Sequence, residues 1–287
     1  VDPAGKKRSH HGATRRRSAA LAPVALVLIL PACPGPQVPP PKTIPTNLPD
    51  KLPPVQEDLL SRAEKSYHFT GPIADIWISL AAAEKVLENQ PQNERANYCA
   101  ARASTWLIQF GGEGVDVKSL AKQGYKYARA AEKSDSKNGE YAFLAGSLLG
   151  FLAQKNPAAH MGSLKTIYDK FDRAVKLDPD FNGGESLRGM GMLLVKSPAW
   201  PIGVGDPDEG IKVLEQAVEA HPEHPANHLY LAEALVATEQ YEEASASIAK
   251  TLEILGSGTW GVPGEVWEKQ IERLRKKIKE GSAEETD

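Results

Sequence analysis

Gly210, Leu214, Ala217 and Pro222 recur 34 residues later as Ala244, Ile248, Thr251 and Gly256. The stretches that precede them also answer to each other, at a step of 41 residues: Leu187, Met190, Gly191 and Leu194 correspond to His228, Leu231, Ala232 and Leu235. Small residues at fixed offsets within a unit of this length mark a pair of antiparallel helices that approach closely and repeat. One such pair cannot bury its apolar face alone, so it stacks on its neighbours. Stacks of this kind enclose a concave surface, which argues for binding before it argues for chemistry.

The offsets follow the A-x3-F-x2-A-x4-P spacing of the second helix of a tetratricopeptide repeat, and the rest of the chain fits the same plan. The expected fold is all-α: a tetratricopeptide-like solenoid of about five helical hairpins plus a C-terminal capping helix, over residues 56–280. From Gln56 onward no run alternates with period two. The first helix carries Leu59, Leu60 and Ala63 and fades near His68 to Gly71; the second starts at Pro72 and stops at Gln90-Pro91. Asn93–Phe110 and Val117–Lys133 form the next pair, with Ala128 and Ala131 at close-contact positions. Tyr141–Gln154 pairs with Ser163–Leu177, Ser186–Lys196 with Pro207–Ala220, and Ala226–Thr238 with Tyr241–Leu255. The cap runs from Pro263 to Lys279, apolar at Val266, Trp267, Ile271, Leu274 and Ile278.

The markers Pro91, Ser136, Pro179, Pro222 and Gly256 are separated by 45, 43, 43 and 34 residues. The excess over the 34-residue unit lies mainly between the two helices of a pair, so one edge of the solenoid carries enlarged loops. Such edges are where binding contacts are often built.

The N-terminal part has a different character. Residues 1–32 read as a lipoprotein signal peptide: a basic stretch ending in Arg15-Arg16-Arg17, an apolar run from Ala19 to Leu30, then Leu30-Pro31-Ala32-Cys33. The apolar run is too short to span a membrane. The last four residues resemble a bacterial lipobox, which makes Cys33 the lipidated residue; an ordinary signal peptide with Cys33 incidental, or a twin-arginine signal, is the alternative. Residues 33–55 form a tether. Nine prolines in the 21 residues from Pro34 to Pro54 exclude helix and favour an extended spacer, with roughly 60 Å of reach. Residues 281–287 read as a disordered tail. The expected location is the cell envelope, lipid-anchored on the periplasmic side, with the outer membrane favoured because Pro34 follows Cys33.

The formal charge is −3, and removing the +5 of residues 1–32 leaves −8, which argues against nucleic acid as a partner. With Cys33 and Cys99 as the only cysteines no disulfide framework is possible, and Cys99 reads as a small buried hydrophobe.

No constellation carries catalysis, a metal or a cofactor. His221, His224 and His228 have metal-like spacing, but Pro222 and Pro225 place them in a turn between repeats, which breaks the helical face that such spacing relies on. Asp206-Pro207-Asp208-Glu209 reads as a helix start, with Asp206 as the cap. Neither Gly111-Gly112-Glu113-Gly114 nor Gly203-Val204-Gly205 has the strand or the Lys-Ser/Thr of a phosphate loop. Trp200, Pro201 and Ile202 stand apart, because an apolar trio in an inserted loop is costly to expose. The trio either folds back on its own hairpin or meets a partner, a second copy or an apolar ligand.

Gly183-Gly184, Leu187–Lys196, the loop from Ser197 to Asp206, and Asn227-His228-Leu229-Tyr230-Leu231-Ala232-Glu233-Ala234-Leu235 resemble the T component associated with TRAP transporters, the TatT family, over Phe181 to about Gly256. The resemblance implies a periplasmic lipoprotein of helical repeats, in the better-known case a trimer with an apolar channel. It implies a non-enzymatic adaptor that docks a periplasmic solute-binding protein and takes an apolar or organic-acid ligand. Trp200, Pro201, Ile202, Asn227, His228 and Tyr230 are the candidate ligand- or partner-binding residues. The alternative function is a general repeat scaffold in envelope assembly with no transporter link.

Overall fold

The computed structural model describes residues 56–156 and 161–284. The stretches read from the sequence as signal peptide and tether, with Cys33, lie outside the described residues, as do residues 285–287. Eleven α-helices are described: α1 Gln56–Ser66, α2 Ile73–Asn89, α3 Glu94–Phe110, α4 Val117–Ser134, α5 Gly139–Lys155, α6 Leu164–Leu177, α7 Glu185–Lys196, α8 Pro207–Ala220, α9 Pro225–Ala237, α10 Tyr241–Ser257 and α11 Gly261–Glu284. Consecutive helices pack as the hairpins α1–α2, α3–α4, α5–α6, α7–α8 and α9–α10, with α11 against α9 and α10. This is an all-α, tetratricopeptide-like solenoid with a capping helix. The cap extends through residues 281–284, into the stretch that the composition assigns to a tail.

The two helices of a hairpin play different parts. The outer helices bury a single strip: Ala121, Gly124, Ala128 and Ala131 on α4, Leu164, Ile167, Phe171 and Ala174 on α6, Gly210, Ile211, Leu214 and Ala217 on α8. The three- and four-residue spacing keeps these on one face, and charged residues fill the other. The inner helices are buried nearly all round; α5 hides residues from Gly139 to Ala153. A helix apolar on every side belongs in an interior, and here the inner helices lie between the outer layer and the concave face.

Caps set the hairpin boundaries. The side chains of Asn93, Asp116, Asn138 and Asp206 accept from the backbone N–H groups of Ala96, Ser119, Tyr141 and Glu209 at 3.0–3.1 Å, each satisfying a donor that a helix start leaves open. Asp206 thus caps α8, as its sequence context implies. Between α6 and α7 the chain turns through Asn182, Gly183 and Gly184, with φ of 46°, 62° and 86°. This left-handed run needs glycine or asparagine.

The two ends of the stack share one core. Ile76, Leu80, Trp106 and Leu107 from the first two hairpins belong to the same buried cluster as Leu229, Ile248, Trp267 and Ile271 from the last hairpin and the cap. Phe69, in the loop between α1 and α2, packs on Phe110 with ring centroids 5.8 Å apart and on Trp267 at 6.3 Å. Glu233 on α9 pins the cap in place: it accepts from Lys196 of α7 and from Gln270 Nε2 of α11 at 2.5 Å. The solenoid therefore curls until its last helix meets its first loop, and the concave face becomes a walled cavity.

Candidate functional site

The cavity has a volume of about 270 Å³ and is lined by α3, α5, the start of α7 and the α1–α2 loop. Its apolar wall is aromatic: Phe69, Trp106, Phe110 and Phe181. Trp106 donates its indole N–H to the Phe69 backbone carbonyl at 2.8 Å, which ties the indole to the loop that carries Phe69. The polar wall consists of Tyr67, Tyr98, Arg102, Gln109, Glu140 and Glu185. A narrower crevice continues beneath, past Phe143, Ser147, Arg188 and Tyr230 to Trp267.

Charge is placed here with little compensation. The Arg102 guanidinium lies 3.8 Å from the Tyr67 ring centroid and 4.7 Å from that of Tyr98, a cation–π arrangement that holds the guanidinium without neutralising it. Arg102 Nη1 donates to the Tyr98 hydroxyl at 3.0 Å, and that hydroxyl donates to Glu140 Oε1 at 2.5 Å. Arg102 Nε has no hydrogen-bond partner, and among the described residues no carboxylate stands within ion-pair distance of Arg102. Burial holds the Glu140 carboxyl above its usual range against the pull of Tyr98 and Arg102. Burial likewise raises Glu185, against the pull of Arg188 and of hydrogen bonds from Asn182 and Gln109. Both tyrosine hydroxyls are pushed up, chiefly by desolvation, and stay protonated at neutral pH.

Arg188 acts behind this wall rather than in it. It is 5% exposed and donates to the carbonyls of Gly183 at 2.7 Å and Asn182 at 3.1 Å, and to Asn227 Oδ1 at 2.5 Å. One buried cation thereby locks the left-handed turn before α7 to the first turn of α9.

The six residues singled out in the sequence fall in three places. Trp200 and Ile202 are 85% and 67% exposed on the α7–α8 loop, so the trio does not fold back over its own hairpin. The loop itself is held: Gly205 N–H donates to the Pro198 carbonyl at 2.8 Å, Ile202 and Gly203 to the Ala199 carbonyl, and Asp206 to the Leu194 carbonyl at 3.0 Å. The Trp200–Pro201 peptide is cis. Asn227 is fully buried, and its amide donates to the carbonyls of Ala217 and His221 at 2.9 Å each. His228 pairs through Nε2 with the Pro222 carbonyl at 2.8 Å. Both serve the frame. Tyr230 lines the crevice under the cavity.

The histidines go separate ways. His221 Nε2 meets Asp180 at 2.9 Å, while His224 stacks edge-on against Trp260 and Trp267. Among the described residues no group of three or more His, Cys, Asp or Glu is placed to hold a metal ion. Cys99 is fully buried and its thiol is pushed up to about 11 by desolvation, which makes it unreactive.

Sequence reasoning missed Tyr67, Tyr98, Arg102, Glu140 and Glu185. A signal existed: Arg102 interrupts an alanine-rich inner helix, and Glu140 and Glu185 stand at the starts of two others. Which of these positions share a cavity depends on the curl of the solenoid, which no local pattern encodes.

A family model of the tetratricopeptide repeat matches residues 202–255, the stretch that carries the 34-residue period. Among solved structures the chain is similar to a thermophilic TPR protein of Thermus thermophilus, with a TM-score of 0.56 and 16% identity over 80% of this chain and 100% of that one. It also matches a MamA protein, with a TM-score of 0.46 and 16% identity over 69% and 91% of the two chains. A third is YrrB, a TPR protein with an unusual peptide-binding site, with a TM-score of 0.43 and 21% identity over 69% and 81%. Comparison with curated proteins gave no match. The first of these structures establishes the fold and nothing further.

Proposed function

We propose that this chain is a non-enzymatic adaptor of the cell envelope, tethered through a lipid on Cys33, that docks a periplasmic solute-binding protein as the T component of a TRAP-type transporter and holds a small ligand in its concave cavity. The observation that carries the adaptor reading is the Trp200 loop. Its backbone is fixed by hydrogen bonds at both ends while Trp200 and Ile202 stand in solvent. Exposed aromatics on a rigid support are the usual anchors of protein interfaces, because little side-chain entropy is lost when they are covered. The lipid anchor and the transporter link come from the lipobox-like Leu30-Pro31-Ala32-Cys33 and from the resemblance over Phe181 to Gly256.

In-cell crosslinking of the tagged chain, followed by affinity capture and mass spectrometry, tests this. The expected result is recovery of a periplasmic solute-binding protein by the wild type and its loss in a Trp200→Ser, Ile202→Ser double variant. Capture of envelope-assembly factors instead, or equal capture by the variant, overturns it. A trimer, as in the resembling family, would appear in sedimentation of the same sample.

A further inference from the structure

The arrangement around Tyr98 is unusual in what it keeps apart. Arg102 and Glu140 sit on adjacent inner helices, α3 and α5, with opposite charges facing one cavity. They do not form an ion pair. The Tyr98 hydroxyl stands between them, accepting from Arg102 at 3.0 Å and donating to Glu140 at 2.5 Å. The guanidinium keeps donor capacity at Nη2, which has no hydrogen-bond partner among the described residues and is not sealed from solvent, because stacking on Tyr67 and Tyr98 holds the group without a carboxylate. Glu140 Oε2 likewise has no hydrogen-bond partner among the described residues. A positive and a negative group one hydroxyl apart, each with free capacity, are complementary to a ligand that carries both charges on neighbouring atoms. Beside them lie the faces and edges of Phe69, Trp106 and Phe110.

We propose that the cavity binds a zwitterionic small molecule, an α-amino acid with an apolar or aromatic side chain: its carboxylate on Arg102, its ammonium on Glu140, and its side chain against Phe69, Trp106 and Phe110. Charge-assisted hydrogen bonds to a planar guanidinium suit a carboxylate. An ammonium beside Glu140 stabilises the ionised carboxylate and so offsets the desolvation that raises that carboxyl. A cavity of about 270 Å³ has room for one such molecule and not for a folded segment. The proposal rests on the reading of the cavity as a ligand site and is independent of the Trp200 docking reading.

The test uses three probes of one shape on the purified chain: L-phenylalanine, phenethylamine, which lacks the carboxylate, and 3-phenylpropionate, which lacks the ammonium. Binding is followed by calorimetry and by the fluorescence of the cavity tryptophan. L-phenylalanine is expected to bind, with each truncated probe weaker by on the order of tenfold, the loss expected for one charge-assisted contact. Arg102→Gln and Glu140→Gln should each weaken L-phenylalanine by a similar factor. Glu140→Gln preserves shape and can still accept from Tyr98, so near-ultraviolet circular dichroism should be unchanged. If phenethylamine or 3-phenylpropionate binds as tightly as L-phenylalanine, the site reads one charge and the proposal fails. It fails equally if none of the three binds at about 10 mM, a concentration that would reveal even a very weak site. The Trp200→Ser, Ile202→Ser double variant should bind L-phenylalanine like the wild type, so failure of partner capture and failure of ligand binding are told apart.

Discussion

Gly191 on α7 and Gly210 on α8 face each other backbone to backbone: a Cβ on either would stand 2.8 Å from the carbonyl oxygen of the other. The hairpin has no room for a side chain here, because each Cβ would meet main chain as well as a packed side chain, Leu214 for Gly191 and Val195 for Gly210, and the main chain cannot give way by a rotamer change. Alanine gains up to about 1 kcal/mol of helix propensity over glycine, but separating two packed helices costs about 1–3 kcal/mol. Gly210→Ala is therefore expected to destabilise the chain in urea unfolding. Gly150 on α5 has no atom within 4 Å of its would-be Cβ, so Gly150→Ala should instead stabilise by about 0.5–1 kcal/mol. The same direction for both variants would show that helix propensity, not contact, decides.

The closure of the solenoid predicts the effect of removing its keystone. Trp267 is 2% exposed and reaches Phe69, Phe110, Trp260 and His224. Trp267→Ala should cost about 3–5 kcal/mol, as for other large aromatics removed from a core. Because Trp267 joins the last helix to the first loop, hydrogen exchange should rise at both ends of the stack. A rise confined to α11 would mean that the ends are not coupled.

Much of this was readable in the residues. The inner and outer helices, the cap at Asp206 and the five hairpins follow from apolar spacing and from Pro and Gly punctuation, which are local signals. The cap outran its expected end because residues after Lys279 keep the helix going to Glu284 with no proline to stop them. The Trp200 loop could be flagged but not oriented; whether it covers its own hairpin depends on the Pro198 and Ala199 carbonyls that hold it away. Asn227 and His228 look like functional polar residues in a repeat, yet their partners are carbonyls six or more residues back in the chain. The cavity was the least legible part, since Tyr67, Arg102, Glu140 and Glu185 come from four separate elements.

Asn227 offers a sharper test of the frame. Its amide donates to two carbonyls and its oxygen accepts from Arg188; the bonds to Ala217 and Arg188 are buried and that to His221 is part-buried. Asn227→Ala leaves three polar groups with one partner fewer, and each such loss out of water costs about 1–3 kcal/mol. The variant should therefore be severely destabilised in urea unfolding. Asn227→Asp keeps an acceptor for Arg188 and loses both donations, so its loss should be smaller than that of alanine. Equal losses would place the energy in the carbonyl contacts alone.

His224 gives the chain a pH dependence of definite sign. Burial among Trp260 and Trp267, then the positive charge of Arg188 and of His221, lower its pKa from 6.5 to about 3. Between those values the unfolded chain binds a proton that the folded chain refuses. Stability from this group is therefore complete above about pH 6.5 and falls as the pH drops toward 3, by up to about 1.4 kcal/mol per unit. Glu140 and Glu185 act in the opposite sense: burial raises both, so the folded chain favours their protons and stability falls as the pH rises above the usual carboxylate value of 4.5. The two effects overlap near pH 5, so the wild-type profile alone cannot separate them. His224→Phe keeps a ring against the two tryptophans and removes only the histidine proton, including the unpartnered Nδ1. Relative to wild type it should gain about 2 kcal/mol on going from pH 7 to pH 5, read from urea midpoints at the two values. A difference that does not change with pH would mean that His224 titrates normally in the folded chain.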